Sequence, residues 1–351
     1  MAKVACGVVI LLAAWLLLVQ PAHAQAPPSP TFTLMGPTFP HSMRGTVAVW
    51  AGSSAYVFGG MMSSDAFRYD PAVNSLAAIA PLPYDFEDMA GAWDGAGTIY
   101  LAGGVGFGMG PNCNLPWGGP GTNNICREFI AYDIPSDTYT VLAAQLPQRT
   151  SSATAFWRAP YLYVLGGCTD APGTCPVVTY DPATGTMATT SANVPVQAHA
   201  MVWTGSDAYL FGGFDYWASP QLVGTVWDYD PGPDTFSPVN LMPGARWGSS
   251  TFLFGSVACV LGGNNFAGST TQDVVSVVLP SGASGLLATT MPLPAWHVGY
   301  VQTGPTVGYV LGAGEGLPFL DASFDLVVFY LSLIDITGYR EAIKDAYRVL
   351  G

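Results

Sequence analysis

Five short apolar runs that end in two glycines decide the fold of this chain. They read Tyr56-Val57-Phe58-Gly59-Gly60, Tyr100-Leu101-Ala102-Gly103-Gly104, Tyr163-Val164-Leu165-Gly166-Gly167, Tyr209-Leu210-Phe211-Gly212-Gly213 and Cys259-Val260-Leu261-Gly262-Gly263. A sixth copy, Tyr309-Val310-Leu311-Gly312-Ala313, is imperfect. The copies recur at intervals of about 50 residues, so each interval predicts one structural unit of a repeat protein.

A turn motif follows each of the first four glycine pairs. It reads Tyr69-Asp70-Pro71, Tyr132-Asp133-Ile134-Pro135, Tyr180-Asp181-Pro182 and Tyr229-Asp230-Pro231, and it degrades to Leu279-Pro280 in the fifth repeat. A spaced apolar or aromatic residue, a proline-bearing turn and an aromatic-rich strand come next. Each unit therefore predicts about four short strands. Because one such unit cannot bury both of its faces alone, several must stack.

This combination resembles the kelch-repeat β-propeller family over about residues 31–314. The resemblance implies an all-β fold, a six-bladed kelch-type β-propeller spanning residues 25–314. Kelch repeats usually carry Trp at the spaced aromatic position, whereas this chain has Leu76, Tyr139, Met187 and Phe236 there, which indicates a divergent member. We expect the segment from Thr31 to Leu34 to supply the outer strand of the last blade and so to close the ring.

The first 24 residues have the pattern of a signal peptide. Lys3 gives a positive start, an apolar run covers residues 8–19, and Pro21-Ala22-His23-Ala24 supplies a cleavage site. The apolar run is too short to span a bilayer comfortably. We therefore predict a secreted or extracytoplasmic protein that begins at Gln25 and has no membrane attachment after cleavage. The alternative is an uncleaved anchor.

The composition argues against two classes of partner. The chain has 23 acidic and 10 basic residues and a net charge of −13. Nucleic acids and anionic membranes are bound by clustered Lys and Arg, so neither is expected as a partner. The 42 glycines and 29 prolines are typical of short strands joined by tight turns.

Four cysteines predict two local disulfides. Cys113 and Cys126 lie in one long loop, and Cys168 and Cys175 lie in another. Each pair would close a short loop, as expected in an oxidising compartment. Cys259 lies in an apolar strand and is interpreted as a buried thiol. A metal site made from the four loop cysteines is the alternative, but they lack a C-x-x-C spacing, so no metal is predicted.

Residues 315–351 have a different pattern. The stretch Leu317-Pro318-Phe319-Leu320-Asp321-Ala322-Ser323-Phe324-Asp325, with the helical pattern that follows it over residues 339–350, resembles a fragment of class I S-adenosylmethionine-dependent methyltransferases of type 11. The resemblance implies one strand and one helix of a Rossmann-like sheet. The family's cofactor contact would fall on the backbone around Glu315 and Leu317, and neither residue could hold the cofactor alone.

The nucleotide-binding strand, glycine loop and helix that should precede this fragment have no counterpart in the chain. A fusion, a relic and an artefact of the gene model all remain open as its origin. We expect residues 315–351 either to pack poorly or to displace the outer strands of the last blade.

Loop aromatics give the clearest sign of a ligand site. They are Phe107 and Trp117 in the longest insertion, and Phe214, Tyr216 and Trp217, with the polar Asp215 among them, directly after a glycine pair. Propellers bind ligands through such loops, and aromatic rings beside polar groups suit a protein or carbohydrate ligand. The alternative is that these rings pack over the blade edges.

Catalytic residues cannot be assigned from the sequence. We interpret His41, His199 and His297 as polar repeat positions near the blade turns, because a copper or zinc site would require them to converge. The acidic patch from Asp85 to Asp88 is interpreted as a solvated loop.

Three functions remain in competition. The first is a secreted binding scaffold that needs no cofactor. The second is a methyltransferase-related chain that uses S-adenosylmethionine. The third is a kelch-type carbohydrate oxidase or epimerase. His and Tyr side chains that converge in a central channel would favour the third function over the first.

Overall fold

The computed structural model describes residues 30–34, 39–40, 43–60, 63–107, 124–170, 173–214, 222–265, 269–291, 295–311 and 327–329. These residues form strands, single bridges and turns, and no helix occurs among them. This described part therefore contains no apolar helix long enough to cross a membrane.

The described strands are numbered in chain order. They are β1 (Thr33–Leu34), β2 (Val47–Ala51), β3 (Ser54–Phe58), β4 (Ala66–Asp70), β5 (Ser75–Ala78), β6 (Asp85–Glu87), β7 (Ala90–Trp93), β8 (Thr98–Ala102), β9 (Val105–Phe107), β10 (Asn124–Ile125), β11 (Phe129–Asp133), β12 (Thr138–Val141), β13 (Thr154–Arg158), β14 (Tyr161–Leu165), β15 (Pro176–Asp181), β16 (Thr186–Asn193), β17 (Ala200–Trp203), β18 (Ala208–Phe211), β19 (Thr225–Asp230), β20 (Thr235–Leu241), β21 (Ser250–Phe254), β22 (Val257–Leu261), β23 (Asp273–Val278), β24 (Ala283–Thr290), β25 (Gly299–Gln302), β26 (Gly308–Leu311) and β27 (Val327–Phe329).

Five sheets share one antiparallel four-stranded order. Blade 1 is β2-β3-β4-β5, blade 2 is β7-β8-β11-β12, blade 3 is β13-β14-β15-β16, blade 4 is β17-β18-β19-β20 and blade 5 is β21-β22-β23-β24. The first strands of consecutive blades contact one another. The predicted all-β, propeller-like fold is therefore confirmed for these five blades. The small sheet β6-β9-β10 is an addition to blade 2.

A sixth sheet, which we call the mixed sheet, departs from this order. β25 and β26 pair antiparallel as in every blade, but β27 pairs parallel to β26, and β1 pairs parallel to β27. The sequence predicts six similar blades, and that prediction is wrong for the outer two strands of this sheet. The chain after β26 no longer carries the repeat pattern, and the strand that pairs with β26 there belongs to the segment that resembles a methyltransferase.

Two predictions about the chain ends meet in the mixed sheet. The segment containing Thr33 and Leu34 forms its outermost strand, in the same sheet as β26, as expected for a closure. From the fragment that resembles a methyltransferase, Val327–Phe329 form a strand in the place of an outer strand. The helix predicted over residues 339–350 lies outside the described residues.

A circle of backbone hydrogen bonds joins the sheets where their first strands begin. One residue per sheet, two positions before its first strand, donates its amide hydrogen to the carbonyl of the corresponding residue in the preceding sheet. These six ring residues and their N–O distances are Gly45 to His297 at 2.5 Å, Asp88 to Gly45 at 2.6 Å, Ser152 to Asp88 at 2.9 Å, Ala198 to Ser152 at 3.0 Å, Gly248 to Ala198 at 2.8 Å and His297 to Gly248 at 3.0 Å. All six have a positive φ, between 48° and 74°.

The glycine pairs form the seam between neighbouring blades, as blade 2 shows. Gly103 has a φ of +67°, and a Cβ atom there would lie 2.4 Å from the carbonyl oxygen of Thr150. Gly104 donates its amide hydrogen to that same carbonyl at 2.8 Å. The first glycine is therefore required by a close backbone approach, which a side chain would prevent.

At the opposite end of the blades, the tyrosine of the Tyr-Asp motif binds the side chain five residues after it, across the turn. Tyr229 donates its hydroxyl to Asp234 at 2.9 Å, and Tyr132 makes the same bond to Asp137 at 2.8 Å. Asp234 also accepts the amide hydrogen of Ala192 in the outer strand of blade 3. One carboxylate therefore fixes its own turn and holds the adjacent blade.

Candidate ligand-binding site

The strand register defines two different faces of the molecule. In blade 1, Val47 at the start of the first strand pairs with Phe58 at the end of the second. The ring residues and the connections that follow the glycine pairs therefore lie at one end, which we call the cavity face. The Tyr-Asp turns lie at the other end, which we call the turn face.

A central cavity of about 240 Å³ lies within the circle of hydrogen bonds. It is lined by ring residues and by the first residues of the inner strands. The polar side chains among them are Thr46, Asp88, Ser152, Thr154, His199, Ser249, His297 and Tyr300. These side chains come from all five blades and the mixed sheet, so the closure of the ring assembles the site.

Asp88 and His297 form a pair in this cavity. His297 Nδ1 lies 2.8 Å from Asp88 Oδ1, and the two side chains are only 11% and 17% exposed. Burial by itself would raise the pKa of Asp88, but the His297 ring, a hydrogen bond from Ser152 and the charge of Arg44 outweigh it and lower the pKa. Asp88 is therefore held as a carboxylate that accepts hydrogen bonds.

Neighbouring Glu87 responds in the opposite direction. Burial and the nearby Asp88 carboxylate raise its pKa, against the opposing effects of Arg44 and His297. The pKa is therefore raised in Glu87 and lowered in the adjacent Asp88. The sequence-based interpretation of this acidic patch as a solvated loop is wrong for Asp88, because ring closure places it inside the cavity.

His199 is a buried neutral group in the cavity wall. Its Nε2 lies 2.8 Å from the hydroxyl of Thr154. Burial lowers the pKa of His199 to about 3, although a backbone hydrogen bond with Val196 opposes the shift. At neutral pH this imidazole is uncharged, so it contributes hydrogen bonding and not charge.

Tyr300 crosses the channel from the mixed sheet to blade 4. Its hydroxyl lies 3.3 Å from both the carbonyl oxygen and the amide nitrogen of Met201, and burial raises its pKa. Tyr300 therefore lines the same cavity as His199 and His297. Two histidines and one tyrosine thus converge, but the described residues contain no group of three His, Cys, Asp or Glu side chains that could hold a metal.

An aromatic rim, formed by Phe214, Trp247 and Trp296, borders the cavity. The Trp247 ring centroid lies 6.0 Å from that of Phe214, 5.3 Å from that of Trp296 and 5.0 Å from that of His297. Arg44 lies over the Trp296 ring at 5.0 Å. The Trp296 Nε1 and His297 Nε2 atoms are buried and have no hydrogen-bond partner within the described part of the chain.

Two of the predicted ligand-loop residues are described, and their role in binding a ligand stays a prediction. Phe214 belongs to the rim, and Phe107 ends β9 in the small sheet on the cavity face. Trp117 and residues 215–217 (Asp215, Tyr216 and Trp217) lie outside the described residues, as do His41, Glu315 and Leu317. Trp247 and Trp296 were not predicted, although each comes directly before a ring residue.

A second cavity, which we call the side cavity, has a volume of about 300 Å³ and lies on the same face. One wall is the loop closed by the predicted disulfide between Cys168 and Cys175, which the structure confirms. Phe214 and Gln197 also line it.

The other cysteines are consistent with their predicted states. Cys126 is disulfide-bonded, and its predicted partner Cys113 lies outside the described residues, so that pairing stays a prediction. Cys259 is a buried free thiol whose pKa burial raises to about 12. This thiol is therefore unreactive as a nucleophile.

Comparisons with known proteins give the fold but no family for the whole chain. A model described as "Methyltransferase domain" matches residues 295–351. No curated protein matches. Among 798 matching chains of known structure, the structure of YjhT has a TM-score of 0.65 and 13% identity and covers 75% of this chain and 88% of its own. At that identity the likeness is one of fold alone.

Proposed function

We propose that the protein is an exported binding protein of the kelch-repeat β-propeller type that holds its ligand in the central cavity. One observation carries this proposal: side chains that differ from sheet to sheet converge on the cavity, whereas the turn face repeats one set of bonds. Asp88 and His297 lie at equivalent ring positions and pair with each other there. Structural repetition does not require such a pair.

Three further observations support the finer parts of the proposal. The mixed sheet joins the circle of six hydrogen bonds through His297, which favours its assignment as a sixth blade. The glycine pairs and Tyr-Asp turns play the structural roles expected of kelch repeats. The predicted cleavage after Ala24 and the Cys168–Cys175 disulfide favour an oxidising compartment outside the cytoplasm.

The cavity suits a small polar ligand or a polar projection of a larger one. Its walls combine a carboxylate, two imidazoles and hydroxyl groups, and its rim is aromatic. Such a mixture is typical of sites that recognise carbohydrates or protein loops. A strongly anionic ligand is disfavoured because Asp88 is held as a carboxylate.

A matched pair of variants tests the proposed site. Saccharide and peptide panels are titrated calorimetrically against the mature chain, Asp88→Asn and Asp207→Asn. Asp207 is a partly exposed acid in the turn between β17 and β18, on the turn face of blade 4. We expect Asp88→Asn to weaken binding at least about tenfold, as for loss of a charged hydrogen bond, and Asp207→Asn to leave it unchanged. Equal affinities in all three proteins would contradict the cavity assignment.

A carbohydrate-active enzyme is the second candidate. The observation that favours it is the convergence of His199, His297 and Tyr300 on one cavity, with Asp88 bonded to His297 Nδ1. A carboxylate that orients an imidazole is a common arrangement for moving a proton. Incubation with an aldose panel in heavy water, followed by NMR, tests this activity. Carbon-bound deuterium incorporation that His297→Gln abolishes would establish it.

The methyltransferase alternative is less well supported. The match begins at Ala295, and residues 299–311 of it contain the antiparallel pair β25 and β26, of which β25 lines the cavity through Gly299 and Tyr300. Calorimetry with S-adenosylmethionine on the full chain and on a chain ending at Gly314 tests it. We expect no binding by either. Binding by the full chain alone would show that the terminal segment is a working module.

A further inference from the structure

We propose that the ligand is an uncharged oligosaccharide, with one sugar unit in the central cavity and at least one more in the side cavity. This inference rests on the proposed function and names the ligand class of that site. Four observations carry it: a chain segment that lines both cavities in turn, the aromatic rings that lie between them, the absence of formal charge among the described residues that line the side cavity, and the pairing of the backbone between the two cavities.

A single segment of chain runs from one cavity to the other. Val196 and Gln197 line the side cavity, and Ala198 and His199 line the central one. Ala198 has a φ of +51°, so this segment is not extended, and it runs between two distinct cavities of about 240 Å³ and 300 Å³ that a ligand of one ring cannot both fill. A chain of linked rings lying along this segment can.

Aromatic rings lie along the same path. Phe214 lines the side cavity, and its ring neighbours Trp247, which in turn lies 5.0 Å from His297 in the central cavity. The three rings of the rim are partly exposed. Flat apolar rings beside hydrogen-bonding groups match a sugar, which has apolar faces and polar edges.

Among the residues that the structure describes, those that line the side cavity carry no formal charge. Their polar side chains are those of Thr174, Asn193 and Gln197, and none of these described lining residues is Asp, Glu, Lys, Arg or His. A charged ligand group placed there would lose its hydration without gaining an ionic partner. The chemistry therefore selects hydroxyl and amide groups.

The backbone at the boundary is already paired. Gln197 and Phe214 exchange two hydrogen bonds, with N–O distances of 3.0 Å and 2.7 Å, and Phe214 also bridges to Leu222. An extended peptide binds by adding its main chain to an unpaired strand edge. Because these groups are consumed, recognition here depends on side chains and rings, which favours a saccharide over a peptide.

The decisive measurement is the dependence of affinity on chain length. Glucose, xylose and N-acetylglucosamine, each with its β-1,4-linked dimer, trimer and tetramer, are titrated calorimetrically against the full mature chain. We expect at least one series in which the trimer binds about tenfold more tightly than the monomer, the gain expected from an added aromatic contact. Equal affinity at every length would overturn the two-cavity inference while leaving the proposed function intact.

Three variants locate the second sugar. Phe214→Ala should remove most of the tenfold gain that comes with chain length. Thr174→Trp, which fills the side cavity from an exposed position, should do the same. Tyr161→Ala, which removes an exposed ring from the turn-face hairpin of blade 3, should change neither affinity. A full gain in both Phe214→Ala and Thr174→Trp would overturn the placement.

Two results separate this inference from the function on which it rests. Binding of peptides at the cavity face, with no saccharide bound, would overturn the ligand class and keep the binding function. Failure of every saccharide and every peptide to bind would overturn both. Thermal melting of each variant confirms that a lost affinity does not reflect a lost fold.

Discussion

Residues with a positive φ recur on both the cavity face and the turn face, but their side chains have different roles on the two faces. On the turn face, Asn74, Asp137 and Asp234 have a positive φ, and each side chain accepts a hydrogen bond from the tyrosine of its own blade. On the cavity face, the ring residues also have a positive φ, but their side chains range from none to imidazole. On the turn face, similar side chains make the same bond in several blades, which is typical of a structural role. On the cavity face, the backbone conformation repeats but the side chains differ, which is typical of a binding site.

The largest expected effect concerns the seam on the cavity face. Gly103 and Gly95 both lie in blade 2 with positive φ, but a Cβ at Gly95 would meet nothing within 4 Å. Gly95→Ala should cost about 1 kcal/mol through φ strain alone. Gly103→Ala should cost about 3 kcal/mol, because the Thr150 carbonyl must also move. Urea unfolding measures both, and equal losses would show that the close approach is unimportant.

The next effect concerns His199 and depends on pH. Its pKa of about 3 in the folded chain lies below the unfolded value of 6.5. As pH falls below 6.5, the unfolded chain gains a proton that the folded chain does not. The free energy of unfolding should therefore fall by about 1.4 kcal/mol per pH unit, or about 2 kcal/mol by pH 5.

His199→Gln should lack this component of the slope. The free energy of unfolding of both proteins is measured from pH 7 to pH 5. Other groups titrate in the same way in both proteins, so the difference between the two pH profiles gives the contribution of His199. Parallel profiles would mean that His199 is accessible to protons in the folded chain.

The smallest effect sharpens the comparison on the turn face. Asp234 binds Tyr229 and also the outer strand of blade 3, whereas the bond described for Asn74 is to Tyr69 of its own blade. Asp234→Ala should therefore cost about 1.5 kcal/mol and Asn74→Ala about half as much. Equal costs in chemical denaturation would indicate that the bonds between blades contribute nothing.

The scaffold could be predicted from the sequence because its key positions require particular residue types. Close approaches at the seam need glycine, and the turns need the Tyr-Asp pattern, so both repeat visibly. The disulfide between Cys168 and Cys175 was readable because it is local. The parallel pairing of β27 was not, because it joins segments that share no repeat.

The site was less readable for two physical reasons. Asp88 and His297 are 209 residues apart and meet only when the ring closes. Only two of the six ring residues with the left-handed conformation are glycines, and the other four are Asp, Ser, Ala and His, so glycine does not mark the ring consistently in the sequence. Phe214 directly follows a glycine pair, so the sequence alone identifies it as a loop aromatic, and its role in ligand binding stays a prediction.

The circle of hydrogen bonds gives the molecule a tolerance for breaks in its covalent chain. The bond that closes the circle, from Gly45 to His297, is formed in the same way as the five between consecutive sheets, so the assembly has no privileged starting point. A protease cut in the exposed turn around Gly185 would leave two fragments that still share the whole circle. We expect them to co-elute as one particle and to separate only in denaturant.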